Sequence, residues 1–125
     1  MNFNWSDYLK LAKELIQTSS QSHFKESALR SSISRSYYAA FCSTRNYLLC
    51  QKCSLPSDNT IHREIRITLE QSGNTESLRI AQNLRRLHNM RKKADYDDNI
   101  TSNINSMAID ALIKAEDIID TLKDP

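Results

Sequence analysis

The sequence predicts an all-α fold, an up-and-down, four-helix-type bundle with one additional short helix. Three observations carry that expectation. Gly occurs once, at Gly73, and Pro only at Pro56 and Pro125, so few positions suit the tight turns of an all-β chain. Apolar residues recur at helical rather than alternating spacing along successive stretches. The breaks between those stretches fall in clusters of Ser, Thr, Asn, Asp, Gly or Pro. At 125 residues the chain fits a single domain over 1–125, with length for one core.

Trp5, Tyr8, Leu9, Ala12, Leu15 and Ile16 repeat at helical spacing and predict a first helix over 6–18, ended by the Ser/Thr/Gln cluster from Gln17 to Ser22. The next stretch, 22–51, has neither Gly nor Pro and is long for a globular helix, which suits the central rod of a bundle. Ala28, Ser31, Ser32, Arg35, Ala39, Cys42 and Ser43 make a band of mostly small residues along it, a face fitted to close approach by a neighbouring helix or a second subunit. Arg35 interrupts that band and calls for an anionic partner, with Asp95, Asp97 or a carboxylate of another chain as candidates. Phe24, Tyr37, Phe41 and Leu48 are expected core anchors.

KCSLPSDN, from Lys52 to Asn59, reads as a loop in which Pro56 stops the helix and Asp58 is placed to cap the next one. A short third helix presents Ile61, Ile65 and Leu69 on one face and stops at Gly73. His62, in its first turn, is read as solvent-exposed or capping. The fourth helix is expected over 75–94 and the fifth over 102–122. Ile104, Met107, Ala108, Ala111, Ala115, Ile118, Ile119 and Leu122 form the core face of the last.

The net charge of +2 selects no class of partner, but its distribution is uneven. From Arg79 to Lys93 there are six Lys or Arg and no acid, a run that serves either as a solvated face or as a phosphate-attracting one. No apolar run approaches the roughly 20 residues of a membrane span, and MNFNWSDYLK lacks a signal peptide's apolar centre, so a cytoplasmic protein is expected. Cys50 and Cys53 have the spacing of half a zinc site, but Cys42 lies in a helical pattern and His23, His62 and His88 are scattered. Structural thiols, no metal and no cofactor are the expectation.

The stretch RIAQNLRRLHNMRKKADYDD, from Arg79 to Asp98, carries the most chemistry. At about 100° per residue its apolar stripe centres on Ile80, Leu84, Leu87 and Ala94, and Arg91 lies within about 30° of that centre. Arg91 therefore points inward, His88 lies beside the stripe, and Arg85 and Lys92 turn towards water. Asp95 follows Arg91 by one helical turn and can pair with it. Tyr96 stands where the helix gives way to a loop, a place where a phenol bridges core and solvent. Two readings follow: a salt bridge that fixes the helix end, or a guanidinium lining a cleft that binds phosphate.

WSDYLKLAKEL at the start, SRSYYAAF at Ser34 to Phe41, and a later helix ending RKKADYDD together resemble the HEPN family of small helical bundles. The resemblance is to short prokaryotic members in which Arg-Ser-Tyr-Tyr-Ala-Ala-Phe and Arg-x-x-Ala-Asp-Tyr occur together, and it covers nearly the whole chain. It implies a bundle that dimerises through its long helices and works in a toxin-antitoxin or defence module beside a minimal nucleotidyltransferase. Catalytic members are metal-independent endoribonucleases with an Arg roughly four to six residues before a His, the His moving the proton and the Arg stabilising the phosphorane charge.

This sequence departs from that pattern, since no His follows Arg91. Tyr96 occupies the corresponding position, and a phenol with a pKa of about 10 is a poor base at neutral pH. Three expectations result. One is an endoribonuclease with Arg91 and Tyr96 as the catalytic pair, helped by Arg35, His62 or His88 from elsewhere in the fold, with Arg35, Arg85, His88 and Lys92 as the RNA- or phosphate-binding residues and Asp95 as Arg91's structural partner. Another is a non-catalytic module that binds RNA or a nucleotide. The third is a homodimer that engages a nucleotidyltransferase, with Tyr96 as the nucleotide acceptor.

Overall fold

Uninterrupted by Gly or Pro, Lys25–Cys50 forms the helix on which the others pack. The computed structural model describes residues 2–123 and holds five α-helices: α1 (Asp7–Thr18), α2 (Lys25–Cys50), α3 (Ile61–Gln71), α4 (Thr75–Tyr96) and α5 (Ile104–Lys123). A 3₁₀ turn, Ser19–Gln21, follows α1. There is no strand among the described residues, and no helix among them is long and apolar enough to cross a membrane. Helix α2 touches each of the other four; α5 packs on α1, α2 and α4, and α3 lies mainly against α4. The all-α bundle with an additional short helix is thus the observed architecture.

The core follows the predicted stripes. Leu29, Ile33, Tyr37, Ala40 and Phe41 of α2 meet Ile65 and Leu69 of α3, Ile80, Leu84, Leu87 and Ala94 of α4, and Ala108, Ala111, Ala115 and Ile118 of α5. Burial of each large apolar side chain contributes about 1.5–3 kcal/mol. The small-residue band is used within the chain: the buried Ser32 hydroxyl donates to the Ala12 carbonyl of α1 at 2.8 Å. A side chain this short brings the two backbones close, and its hydrogen bond removes the cost of burying a hydroxyl.

Helix α2 begins later than the sequence pattern suggests. The Ser22 hydroxyl accepts from the Phe24 N–H at 2.9 Å while Ser22 itself is extended, so the chain turns there before the helix starts. Phe24 is consequently 73% exposed and is no core anchor. At the other end Lys52 takes a left-handed φ of 62°, Cys53 N–H donates to Leu48 C=O and Lys52 N–H to Leu49 C=O, the Schellman arrangement that closes a helix.

Two further termini set the site. Gly73 adopts φ +73°, a conformation that penalises any side chain, and hands the chain to Asn74, whose side-chain Oδ1 accepts from Glu76 and Ser77 N–H to cap α4. At the far end α4 continues to Tyr96, past the expected Ala94. The cause is Arg30 of α2: its Nη1 donates to the carbonyls of Ala94 (3.0 Å) and Asp97 (2.6 Å), and its Nη2 to that of Asp98 (3.4 Å). A guanidinium thereby satisfies carbonyls that a helix end leaves open and holds the Asp95 to Asp98 segment against α2.

Candidate functional site

The C-terminal half of α4 and the N-terminal half of α3 enclose a cleft of about 460 Å³, walled by Tyr38, Asn59, His62, Arg63, Arg66, His88, Arg91 and Tyr96. Helical spacing explains the convergence. His62 and Arg66 stand one turn apart on α3, as do His88 and Arg91 on α4, so each helix presents an imidazole and a guanidinium to the cleft, to which α3 adds Arg63. Among the described residues the lining contains no carboxylate, and its positive charge is compensated only by Asp95 at the edge.

Arg91 is largely enclosed in the cleft, with a side chain only 12% exposed. Its Nη1 donates to Asp95 Oδ2 at 3.4 Å, a long contact that leaves much of the guanidinium available. The Nε of Arg91 and that of Arg66 are both buried without a hydrogen-bond partner. The Arg91 guanidinium carbon lies 5.6, 5.5 and 5.8 Å from the ring centroids of Tyr37, Tyr38 and Tyr96. Aromatic faces hold the cation without neutralising it, the disposition required to receive an anion.

Behind the guanidinium lies a polar cluster within the core. The hydroxyl of Tyr37, a buried residue, is 2.5 Å from Nδ1 of His62 and 3.0 Å from Nδ1 of His88. Phe41 stacks on the His62 ring at 4.3 Å, and the two imidazole centroids are 5.2 Å apart. Burial disfavours charge on both histidines. It lowers the His62 pKa, with Arg91 and Arg66 adding to the effect, and lowers that of His88 to about 4, with His62, Lys92, Arg66 and Arg91 as further causes. Burial also raises the Tyr37 phenol, so all three groups are neutral at pH 7.

The structure separates the residues singled out from sequence. Arg91, His88 and Tyr96 meet in the cleft, and Asp95 pairs with Arg91 as its spacing predicts. Tyr96 is 74% exposed and stands at the rim, where it does not cap the core. Arg35 takes neither Asp95 nor Asp97; its guanidinium carbon sits 4.6 Å over the Tyr8 ring and 5.5 Å from Tyr38, while Asp95 is engaged by Arg91 and, at 3.4 Å, by the Ser34 hydroxyl. Arg85 faces Glu70 at 3.9 Å in a separate hollow with Gln82 and Arg86, and Lys92 is exposed outside the cleft lining. His62 is half-buried on Tyr37 and Phe41, not solvent-exposed or capping, because the loop before α3 turns it inward. Arg63, Arg66 and Asn59 also belong to the cleft, and the sequence assigns them no role.

The cysteines remain free thiols, with Cys42 buried, Cys50 exposed and Cys53 between. Among the described residues no group of His, Cys, Asp and Glu has the geometry to hold a metal. The arrangement can bind a phosphate-sized anion, stack a base or sugar on tyrosine, and offer neutral imidazoles for proton transfer.

The HEPN domain family model matches residues 5–124. The chain therefore belongs to the HEPN domain family, and the match spans both helices that form the cleft. No curated protein and no solved structure matches the chain significantly.

Proposed function

We propose that the protein is a metal-independent endoribonuclease of the HEPN family in which histidines of α3 and α4 replace the missing histidine after Arg91. The observation that carries this reading is the convergence of His62, His88 and Arg91 on one cleft without a carboxylate in its lining. Arg91, assisted by Arg66 and Arg63, holds the scissile phosphate and stabilises the charge that grows on its oxygens as a neighbouring ribose hydroxyl attacks. His62 and His88 move the protons of that step, and Tyr38 and Tyr96 supply faces for the sugar and base. Tyr96 thus becomes a binding residue rather than the base. Arg35, Arg85 and Lys92 lie outside the cleft and serve the flanking backbone of a longer RNA through their charge. The setting is a cytoplasmic toxin-antitoxin or defence module, with the protein acting as a homodimer.

The test is incubation of the purified protein with end-labelled single-stranded RNA in EDTA, beside Arg91→Ala and His62→Ala. Cleavage by the parent protein and its loss in both variants is the expected result. Cleavage that persists in either variant contradicts the role given to that residue.

The exposure of Tyr96 favours a second reading, a module that engages a minimal nucleotidyltransferase and accepts a nucleotide on that phenol. The ring stands at the rim of an arginine-rich cleft, where a nucleotide's phosphates would be neutralised as the hydroxyl is modified. Mass spectrometry of the protein co-expressed with such a partner decides it: an added nucleotide on Tyr96 supports the second reading, and an unmodified tyrosine rejects it.

A further inference from the structure

Tyr37 has no part in the proposed cleavage so far, yet its hydroxyl contacts both histidines and little else reaches it. A phenol carries one proton and two lone pairs, and a neutral imidazole one N–H and one lone pair. The single phenol proton can be donated to only one Nδ1. The other histidine must then donate its own Nδ1–H to the phenol oxygen, so the two imidazoles are held in opposite tautomers. Assigning the shorter contact, 2.5 Å to His62, to the O–H···N bond and the 3.0 Å contact to an N–H···O bond from His88 gives one such arrangement. His62 is left with a proton on Nε2, and His88 with a free lone pair there.

We infer that Tyr37 joins His88 and His62 into a neutral proton relay for cleavage of an RNA phosphodiester by the adjacent ribose 2′-hydroxyl. This inference rests on the endoribonuclease reading above. The 2′-oxygen bonds to phosphorus as the P–O5′ bond breaks. The 2′-hydroxyl proton goes to Nε2 of His88, the Nδ1 proton of His88 goes to the Tyr37 oxygen, the phenol proton goes to Nδ1 of His62, and the Nε2 proton of His62 goes to the departing 5′-oxygen. A 2′,3′-cyclic phosphate and a 5′-hydroxyl are formed, the protein's charge is unchanged, and the two imidazoles have exchanged tautomers. Attack of water on the cyclic phosphate reverses the relay: water's proton enters at Nε2 of His62 and the Nε2 proton of His88 returns to the 2′-oxygen.

The surroundings suit a relay that never forms imidazolium. Tyr37 and Tyr38 face the pair from α2, Arg63 and Arg66 from α3, and Arg91 from α4, with Lys92 outside the lining; burial, with Arg66 and Arg91 and, for His88, Lys92, disfavours charge on both rings. Tyr37 acts through the histidines and is a positioning residue.

Imidazole ¹⁵N shifts of the labelled wild-type protein at pH 7 test the inference without reference to activity. The expected spectrum assigns His88 as the Nδ1–H tautomer and His62 as Nε2–H; the same tautomer on both overturns the relay while leaving the endoribonuclease reading intact. In Tyr37→Phe, which keeps the ring, His88 reverts to Nε2–H and kcat on RNA falls about 100-fold at unchanged KM, within the range of proton-transfer catalysis. Cleavage by Tyr37→Phe at the wild-type rate overturns the relay as well. Wild-type kcat is expected to be level from pH 6 to 8, whereas a limb near the ordinary histidine pKa in that range contradicts a neutral relay. Absence of cleavage by the wild-type protein sinks the endoribonuclease reading and the relay with it, whereas cleavage with the same tautomer on both rings sinks the relay alone.

Discussion

The Tyr37 hydroxyl lies 2.5 Å from Nδ1 of His62, joining two residues that are both drawn out of water by the same core. Tyr37 reaches from the middle of α2, and His62 comes from the first turn of α3, so the bond ties the smaller helix to the central one. A neutral imidazole accepts such a bond, whereas a protonated one has no lone pair left to accept it.

That dependence on the neutral ring gives a pH signature. In the unfolded chain an imidazole takes up a proton near pH 6.5, whereas in the folded chain burial delays this, for His88 to about pH 4. Between those values the unfolded state binds the proton and the native state does not. The contribution is thus fully present above about pH 6.5 and is lost as the pH falls towards 4. Thermal unfolding across that window is expected to show a falling Tm that flattens below it, and His88→Gln should make the slope shallower. Asp58, whose carboxyl is held low by its bonds from Thr60, acts at more acid pH and leaves this window unaffected.

Arg30 is expected to determine the end of α4. Arg30→Ala frees the carbonyls of Ala94, Asp97 and Asp98, and the loss is about 1–3 kcal/mol, since the donor is charged and partly buried. Hydrogen exchange should quicken at the amides of Asp95 to Asp97 while α5 stays protected. Unaltered exchange there would show that the helix end is fixed by other contacts.

Leu87 is completely buried between the cleft residues of α4 and the bundle core. Leu87→Ala is expected to cost about 2–5 kcal/mol in urea unfolding. A cost below about 1 kcal/mol would mean that the core collapses around the lost side chain more readily than its packing indicates.

Tyr96 makes the opposite case. Because its ring is 74% exposed, Tyr96→Phe is expected to leave the unfolding free energy within about 0.5 kcal/mol of the parent. RNA cleavage is expected to continue in this variant, since the phenol is not the base. Loss of cleavage with stability intact would return the proton-transfer role to Tyr96.

The sequence was most legible where local chemistry and helical period agree. Gly73 and Asn74 mark the start of α4 by backbone freedom and capping, and the wheel turns Arg91 inward because it falls within the apolar stripe of Leu84, Leu87 and Ala94. It misled at Phe24, where a side-chain bond from Ser22 stops helix formation, and at Arg35, where an aromatic face replaces a carboxylate. The His62 and His88 cluster was not readable, because the two residues lie on different helices and come together over Tyr37, whose apolar surroundings make it look like an ordinary core residue. One signal was present: both α3 and α4 carry a His and an Arg one turn apart, at positions that antiparallel packing can bring face to face.

The central claim is that Arg91 and the histidines of α3 and α4 form one RNA-cleaving site. Single-turnover cleavage of a labelled single-stranded RNA in EDTA, with the new ends identified, tests it most directly. The expected result is a 2′,3′-cyclic phosphate and a 5′-hydroxyl, a rate lowered by about 10²–10³-fold in Arg91→Ala, and little rescue in Arg91→Lys, whose point charge cannot grip two phosphate oxygens as a fork. RNA left intact by the wild-type protein, or cut equally well by Arg91→Ala, would contradict it.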